Sequence, residues 1–161
     1  MSKLRTSIDN YVKDCQELID EAKAAKDRVR ENELTGILLR WRCLNDLYFL
    51  GEFTGHTKFI DHFHKKLCDK VSLMNWNIVY KNLLPKNIFM LPIEDVVDNP
   101  EKELHNERLF LLFRSAFKTT IITKLHIVQL LLLFPEIHIA ISHNTQINAS
   151  DNLESVKALF L

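Results

Sequence analysis

Between residues 113 and 120 the chain reads Phe113-Arg114-Ser115-Ala116-Phe117-Lys118-Thr119-Thr120, residue types that together could hold phosphate. The apolar run Leu109-Phe110-Leu111-Leu112-Phe113 predicts a buried strand, and the pattern from Thr119 to Phe134 predicts a helix after the loop. A strand feeding a short loop that opens a helix presents unpaired N–H groups and the positive end of the helix dipole to an anion. In that setting Lys118 supplies a charge for the β- and γ-phosphates, and the Thr119 hydroxyl is a ligand for Mg²⁺. The loop holds no glycine, so the usual G-x-x-x-x-G-K-[ST] pattern is unmet. An exposed helix start capped by threonine is the structural alternative.

Other residues offer less. His62-x-His64 with Cys68 contains metal-ligand types, but on a helix residues 62 and 64 point to different faces and only 64 and 68 share one, which does not make a zinc site. Trp41 between Arg40 and Arg42 pairs an aromatic ring with phosphate-binding cations. It also lies on an apolar helical stripe, which favours core packing. Glu94 and Asp95 follow an apolar run interrupted by Pro92 and read as part of a solvated linker.

The elements that must position these residues fall into three stretches. In residues 1–80, Tyr11, Val12, Cys15, Leu18, Ile19, Ala22 and Val29 predict an amphipathic helix from Ile8 to about Arg30. A second is predicted from Glu33 to Leu50, stopped by Gly51, and a third carries Ile60, Phe63, Leu67, Val71 and Met74 on one face. Residues 81–107, with Pro85, Pro92 and Pro100, read as a linker. Residues 108–161 give strand, loop, helix, a second strand at Ile137–Ile141, and a last amphipathic helix through Ala149, Leu153, Val156 and Phe160. The expected class is therefore α/β: a helical amino-terminal region followed by the start of a parallel sheet.

Composition limits the partners. Lys+Arg and Asp+Glu both number 21 in 161 residues, so no global field draws the chain to nucleic acid or membrane. Cys15, Cys43 and Cys68 fit neither a disulfide framework nor a paired zinc motif, which points to a reducing compartment. The longest apolar run, Ile127 to Phe134, contains Gln129 and is shorter than the ~20 residues a transmembrane helix needs. The first residues lack the apolar core of a signal peptide.

Taken together, Leu109 to Phe160 resembles the first nucleotide-binding segment of the large terminase subunits of tailed bacteriophages, ATP-driven motors that package DNA. The family loop often reads Arg-Gly-x-x-Lys-Ser/Thr-Thr; Ser115 stands where glycine is usual, and some members carry a bulky residue before the lysine, as Phe117 is here. Ile121 to Leu130 is similar to the family's first helix. Phe134-Pro135-Glu136-Ile137-His138-Ile139-Ala140-Ile141-Ser142 is similar to its turn and second strand, and Thr145, Ala149 and Leu153 to Phe160 to its next helix. Upstream, Cys43 to Gly51 and the helix around His62 and His64 resemble the helical region before the motor core.

The resemblance implies the first half of a P-loop ATPase sheet over residues 108–161, with ATP and Mg²⁺ as cofactors. Arg114, Ser115, Ala116, Phe117, Lys118, Thr119 and Thr120 would cradle ATP, with Lys118 on the β/γ-phosphates, Thr119 toward the metal and Arg114 against charge developing on the γ-phosphate. It also implies double-stranded DNA, a small terminase subunit and a portal protein as partners, a homo-oligomeric ring for the full-length motor, no membrane, and the cytoplasm of the host cell. No apolar strand ending in Asp-Glu follows the second helix within the 161 residues, so the expectation is an amino-terminal part of a motor, catalytically incomplete by itself. A non-enzymatic helical protein-interaction module and a different, helicase-like P-loop ATPase stay open.

Overall fold

The computed structural model describes residues 2–56, 58–104, 117, 119–142 and 144–160. The chain starts in helix α1, Lys3–Ala24, where the Ser2 hydroxyl accepts the Arg5 N–H and Leu4, Ile8, Ile19 and Ala22 turn inward. The helix expected to reach Arg30 stops sooner. Lys26 takes a left-handed backbone (φ 57°) and the Asp27 carboxylate accepts the Arg30 N–H, so a new helix begins. This is α2, Arg28–Asn45.

Gly51 is not the stop of α2 that the sequence predicts. Asp46 breaks the helix with φ −117° and ψ 94°, and its carboxylate then caps α3, Leu47–Phe53, through the N–H groups of Tyr48 and Phe49. Gly51 lies buried inside α3, where a Cβ would collide with the Phe59 ring and press on Leu125. Helix α4, Asp61–Tyr80, buries Leu67, Cys68, Val71 and Trp76.

Residues 81–104 hold a 3₁₀ turn at Ile93–Asp95 and a short helix α5, Pro100–Glu103. Met90, Leu91, Val96, Val97 and Leu104 from this stretch join Leu4, Trp41, Trp76, Leu130 and Leu133 in one core cluster. Asn45 fixes the approach, its amide donating to the Phe89 carbonyl at 2.8 Å and accepting the Leu91 N–H at 3.2 Å. Trp41 is core, stacked on Tyr11 with ring centroids 3.8 Å apart.

After Phe117 the chain winds as a π-helix, Thr119–Leu125, and continues as α6, His126–Leu133; helix α7, Gln146–Lys157, follows. The α/β expectation is overturned, because no β-strand or sheet occurs among the described residues. Residues 137–141 do alternate between half-buried and exposed, as a strand should, and Ile137 and Ile139 pack on the core. No described strand runs beside them, and a ladder needs a partner for its N–H and C=O groups. Residues 119–133 do not cross over a sheet; they bury Ile121, Leu125 and Val128 against α3 and α4, and Leu130 and Leu133 in the other cluster. The first expected strand, Leu109–Phe113, lies outside the described residues, so the predicted parallel pairing has no described partner for residues 137–141. No described helix is long and apolar enough to cross a membrane.

Candidate functional site

The start of the π-helix meets an aromatic platform built by α3, α4 and the turn between them. Gly51 lets the Phe59 ring approach the backbone of α3. His64, 2% exposed, stacks on Phe59 at 5.0 Å and meets Phe63 edge-on at 5.0 Å. Its Nδ1 accepts the Ile60 N–H at 2.6 Å just ahead of α4. That bond assigns the proton of a neutral ring to Nε2. The Nε2 atom is buried and has no hydrogen-bond partner among the described residues.

Phe117 docks on this platform. Its ring lies 5.6 Å from Phe59 and 5.4 Å from His64, edge-on to both. Its backbone is left-handed, φ 52°, a conformation that costs a bulky residue roughly 1–2 kcal/mol. Its carbonyl accepts the Ile121 N–H at 2.8 Å, which starts the helical winding. The π-helix that follows is a rare winding, frequent at functional sites. Thr119 is exposed and Thr120 half-buried, while Ile121 and Leu125 are fully buried. The start of the π-helix therefore reaches solvent at Thr119, and Phe117 ahead of it is anchored on the platform.

Two polar networks hold the platform in place. The Arg5 guanidinium donates to Asp46 at 2.6 and 3.0 Å and to Asp69 at 2.6 Å, joining α1 to the start of α3 and to α4. Burial works against this charge, but the hydrogen bonds and attraction of Asp46 and then Asp69 outweigh it and raise the guanidinium above its ordinary range. In the second network Asn75 donates to Gln129 Oε1 at 2.8 Å and accepts from His126 Nε2 at 2.8 Å, tying α4 to α6. Burial pushes the His126 imidazole down to about 4.

Of the residues expected to cradle phosphate, Phe117, Thr119 and Thr120 are placed at the opening of a helix, as the sequence predicts for Thr119. Arg114, Ser115, Ala116 and Lys118 lie outside the described residues. Sequence reasoning does not bring Phe59 and His64 to this site: it considers His64 with His62 and Cys68 as metal-ligand types and within the helix that resembles the region before the motor core. Burial first, and then Asp46 and Asp69, raise the Cys68 thiol well above its ordinary value. No metal-holding group of His, Cys, Asp and Glu occurs among the described residues. Glu94 and Asp95 are exposed in the 3₁₀ turn. No family model, curated protein or solved structure matches this chain.

A second concavity, about 1130 Å³, lies between α1, α4 and residues 96–103. Leu4, Leu67, Leu73, Val96 and Val97 form its apolar lining. Its carboxylates serve the fold: Asp69 binds Arg5, Asp98 binds Lys3 at 2.8 Å, Asp61 accepts the Tyr48 hydroxyl, and Glu103 accepts the N–H groups of Asp98 and Asn99. Lys66 and Lys70 stand exposed at its edge.

Proposed function

We propose that this chain is an amino-terminal part of a large terminase subunit, the ATP-hydrolysing motor that packages double-stranded DNA, and that it binds the polyphosphate of Mg²⁺-ATP at Lys118 and Thr119. The observation that carries the reading is the backbone of Phe117. A loop that turns successive N–H groups toward one anion needs a residue in the left-handed region, a place glycine usually takes. Phe117 supplies that conformation without being glycine, with φ 52°, directly ahead of Lys118 and of the helix opened by Thr119.

The roles follow from charge and position. Lys118 lends a compact positive charge to the β- and γ-phosphates, and Arg114 adds a second as the loop arginine. The Thr119 hydroxyl, exposed at the helix start, is the oxygen ligand offered to the metal, and the first N–H groups of the helix face the phosphates. Bound Mg²⁺ supplies neutralisation of charge on the β- and γ-oxygens. The test is equilibrium titration of the 161-residue chain with a fluorescent ATP analogue and Mg²⁺. Saturable binding that Lys118→Ala removes supports the reading; no binding, or equal binding by both proteins, refutes it.

The concavity between α1 and α4 favours a second reading, a helical module that holds an acidic peptide over an apolar floor edged by Lys66. Binding of an acidic amphipathic peptide, weakened by Lys66→Glu and indifferent to Lys118→Ala, would support it in place of the first.

A further inference from the structure

The turn that leaves α4 is held at both ends and still directs two aliphatic side chains into solvent. Asn82 takes the left-handed region at φ 56°, which asparagine tolerates, and the Leu83 N–H closes back on the Ile78 carbonyl at 3.0 Å. Asn87 fixes the far end, its amide donating to the Leu133 carbonyl at 2.7 Å and its Oδ1 accepting the Phe89 N–H at 2.9 Å. Tyr80, Leu84 and Phe89 pack on the core. Between these anchors Leu83 is 65% exposed and Ile88 88%, the highest value among the large hydrophobic residues described. Aliphatic side chains scattered singly over a surface need no explanation, but these two share one fixed turn with cations. Lys81 and Lys86 are exposed in it, and Arg40 of α2 lies over the Phe89 ring at 4.6 Å. The sequence holds no Asp or Glu between Asp69 and Glu94.

We propose that residues 81–89 are a peripheral docking surface for an anionic lipid bilayer, with Leu83 and Ile88 entering the acyl boundary and Lys81, Lys86 and Arg40 against the headgroup phosphates. Aliphatic groups standing out of a turn offer a partner no pocket to fill, and a bilayer asks for none. It takes apolar area beneath a collar of cations. Lysine suits the collar, because its stem lies along apolar surface while the ammonium stays with the headgroups. A single-stranded nucleic acid would need open ring faces to stack on, and here Phe89 lies under Arg40 and Tyr80 packs on the core. The attraction is local, as the overall balance of 21 basic and 21 acidic residues requires. The proposal is independent of the phosphate reading of Lys118. Where the resemblance of residues 109–160 implies no membrane, this turn lies outside that stretch and is read on its own chemistry.

The experiment is flotation of the 161-residue chain with vesicles of phosphatidylcholine alone and of phosphatidylcholine with about one-third phosphatidylserine. The chain should float with the anionic vesicles and not with the neutral ones, and added salt should reduce the bound fraction. Leu83→Ser combined with Ile88→Ser should lower the partition coefficient by about tenfold or more, and Lys81→Gln and Lys86→Gln by about fivefold each. These side chains are exposed, so urea midpoints should stay with the wild type. Ile147→Ser, at a position 73% exposed on α7, and Lys118→Ala should float unchanged. Ile88→Trp, read against the buried Trp41 and Trp76, should be quenched by brominated acyl chains. No flotation, equal flotation with neutral vesicles, flotation indifferent to the serine variants, or an unquenched Ile88→Trp would overturn the proposal. So would binding of an oligonucleotide, without flotation, that the lysine variants weaken; that result would assign the surface to nucleic acid.

Discussion

His126 is the residue whose chemistry gives the most direct handle on stability. Buried against Asn75, it holds its proton only below about 4 when folded, against 6.5 for an ordinary imidazole. Between those values the unfolded chain binds the extra proton, so folding stability rises with pH there and is fully present above the unfolded value. The unfolding free energy from urea titrations should therefore lose nothing to this group above about pH 7 and fall as pH drops toward 4, by up to about 3 kcal/mol; His126→Gln should remove that part of the slope. A profile unchanged by the substitution would show that the group is not buried as described. At this scale the sequence spoke unevenly. The apolar stripe around Trp41 marked it as core from spacing alone. The pairing of His64 with Phe117 could not be read, because no local pattern announces which distant ring a loop residue will meet.

Helix α3 and its junctions decide whether the site exists. Arg5→Met would leave Asp46 and Asp69 buried beside one another without their cation, and removal of one partner from such a cluster costs about 3–5 kcal/mol. Equilibrium unfolding should record a loss of that order, and a loss under 1 kcal/mol would mean the pairs are exposed in solution. Gly51→Ala would drive a methyl group into the Phe59 ring; overpacking of this kind costs about 1–3 kcal/mol. The same change should weaken binding of Mg²⁺-ATP, since Phe59 supports both His64 and Phe117. Retained affinity with lowered stability would separate the platform from the site. The stripe Ile60, Phe63, Leu67, Val71 and Met74 made α4 legible, because a helix carries its hydrogen bonds within itself and only its buried face needs stating. The break at Asp46 was hidden, since one aspartate both ends α2 and caps α3 without interrupting the apolar pattern. Residues 137–141 misled for the opposite reason: alternation records which side faces the core, while a strand is completed by a neighbour the pattern does not name.

Across the whole molecule, residues from the amino-terminal helices, from 81–104 and from α6 share one core cluster, so stretches far apart in sequence are tied together through packing. The residues proposed to hold phosphate include no carboxylate to hold the metal or orient water, and such groups act on the transition state. Steady-state phosphate release by the 161-residue chain should therefore be no faster than that of Lys118→Ala, and robust turnover lost in the variant would reveal an unassigned catalytic acid. The central claim is that polyphosphate sits where Phe117 hands the chain to Lys118 and Thr119. Amide hydrogen exchange with and without Mg²⁺-ATP tests it most directly. The account predicts added protection concentrated in residues 113–122 and at the start of α4, absent in Lys118→Ala; protection elsewhere alone, or the same protection in the variant, would contradict it.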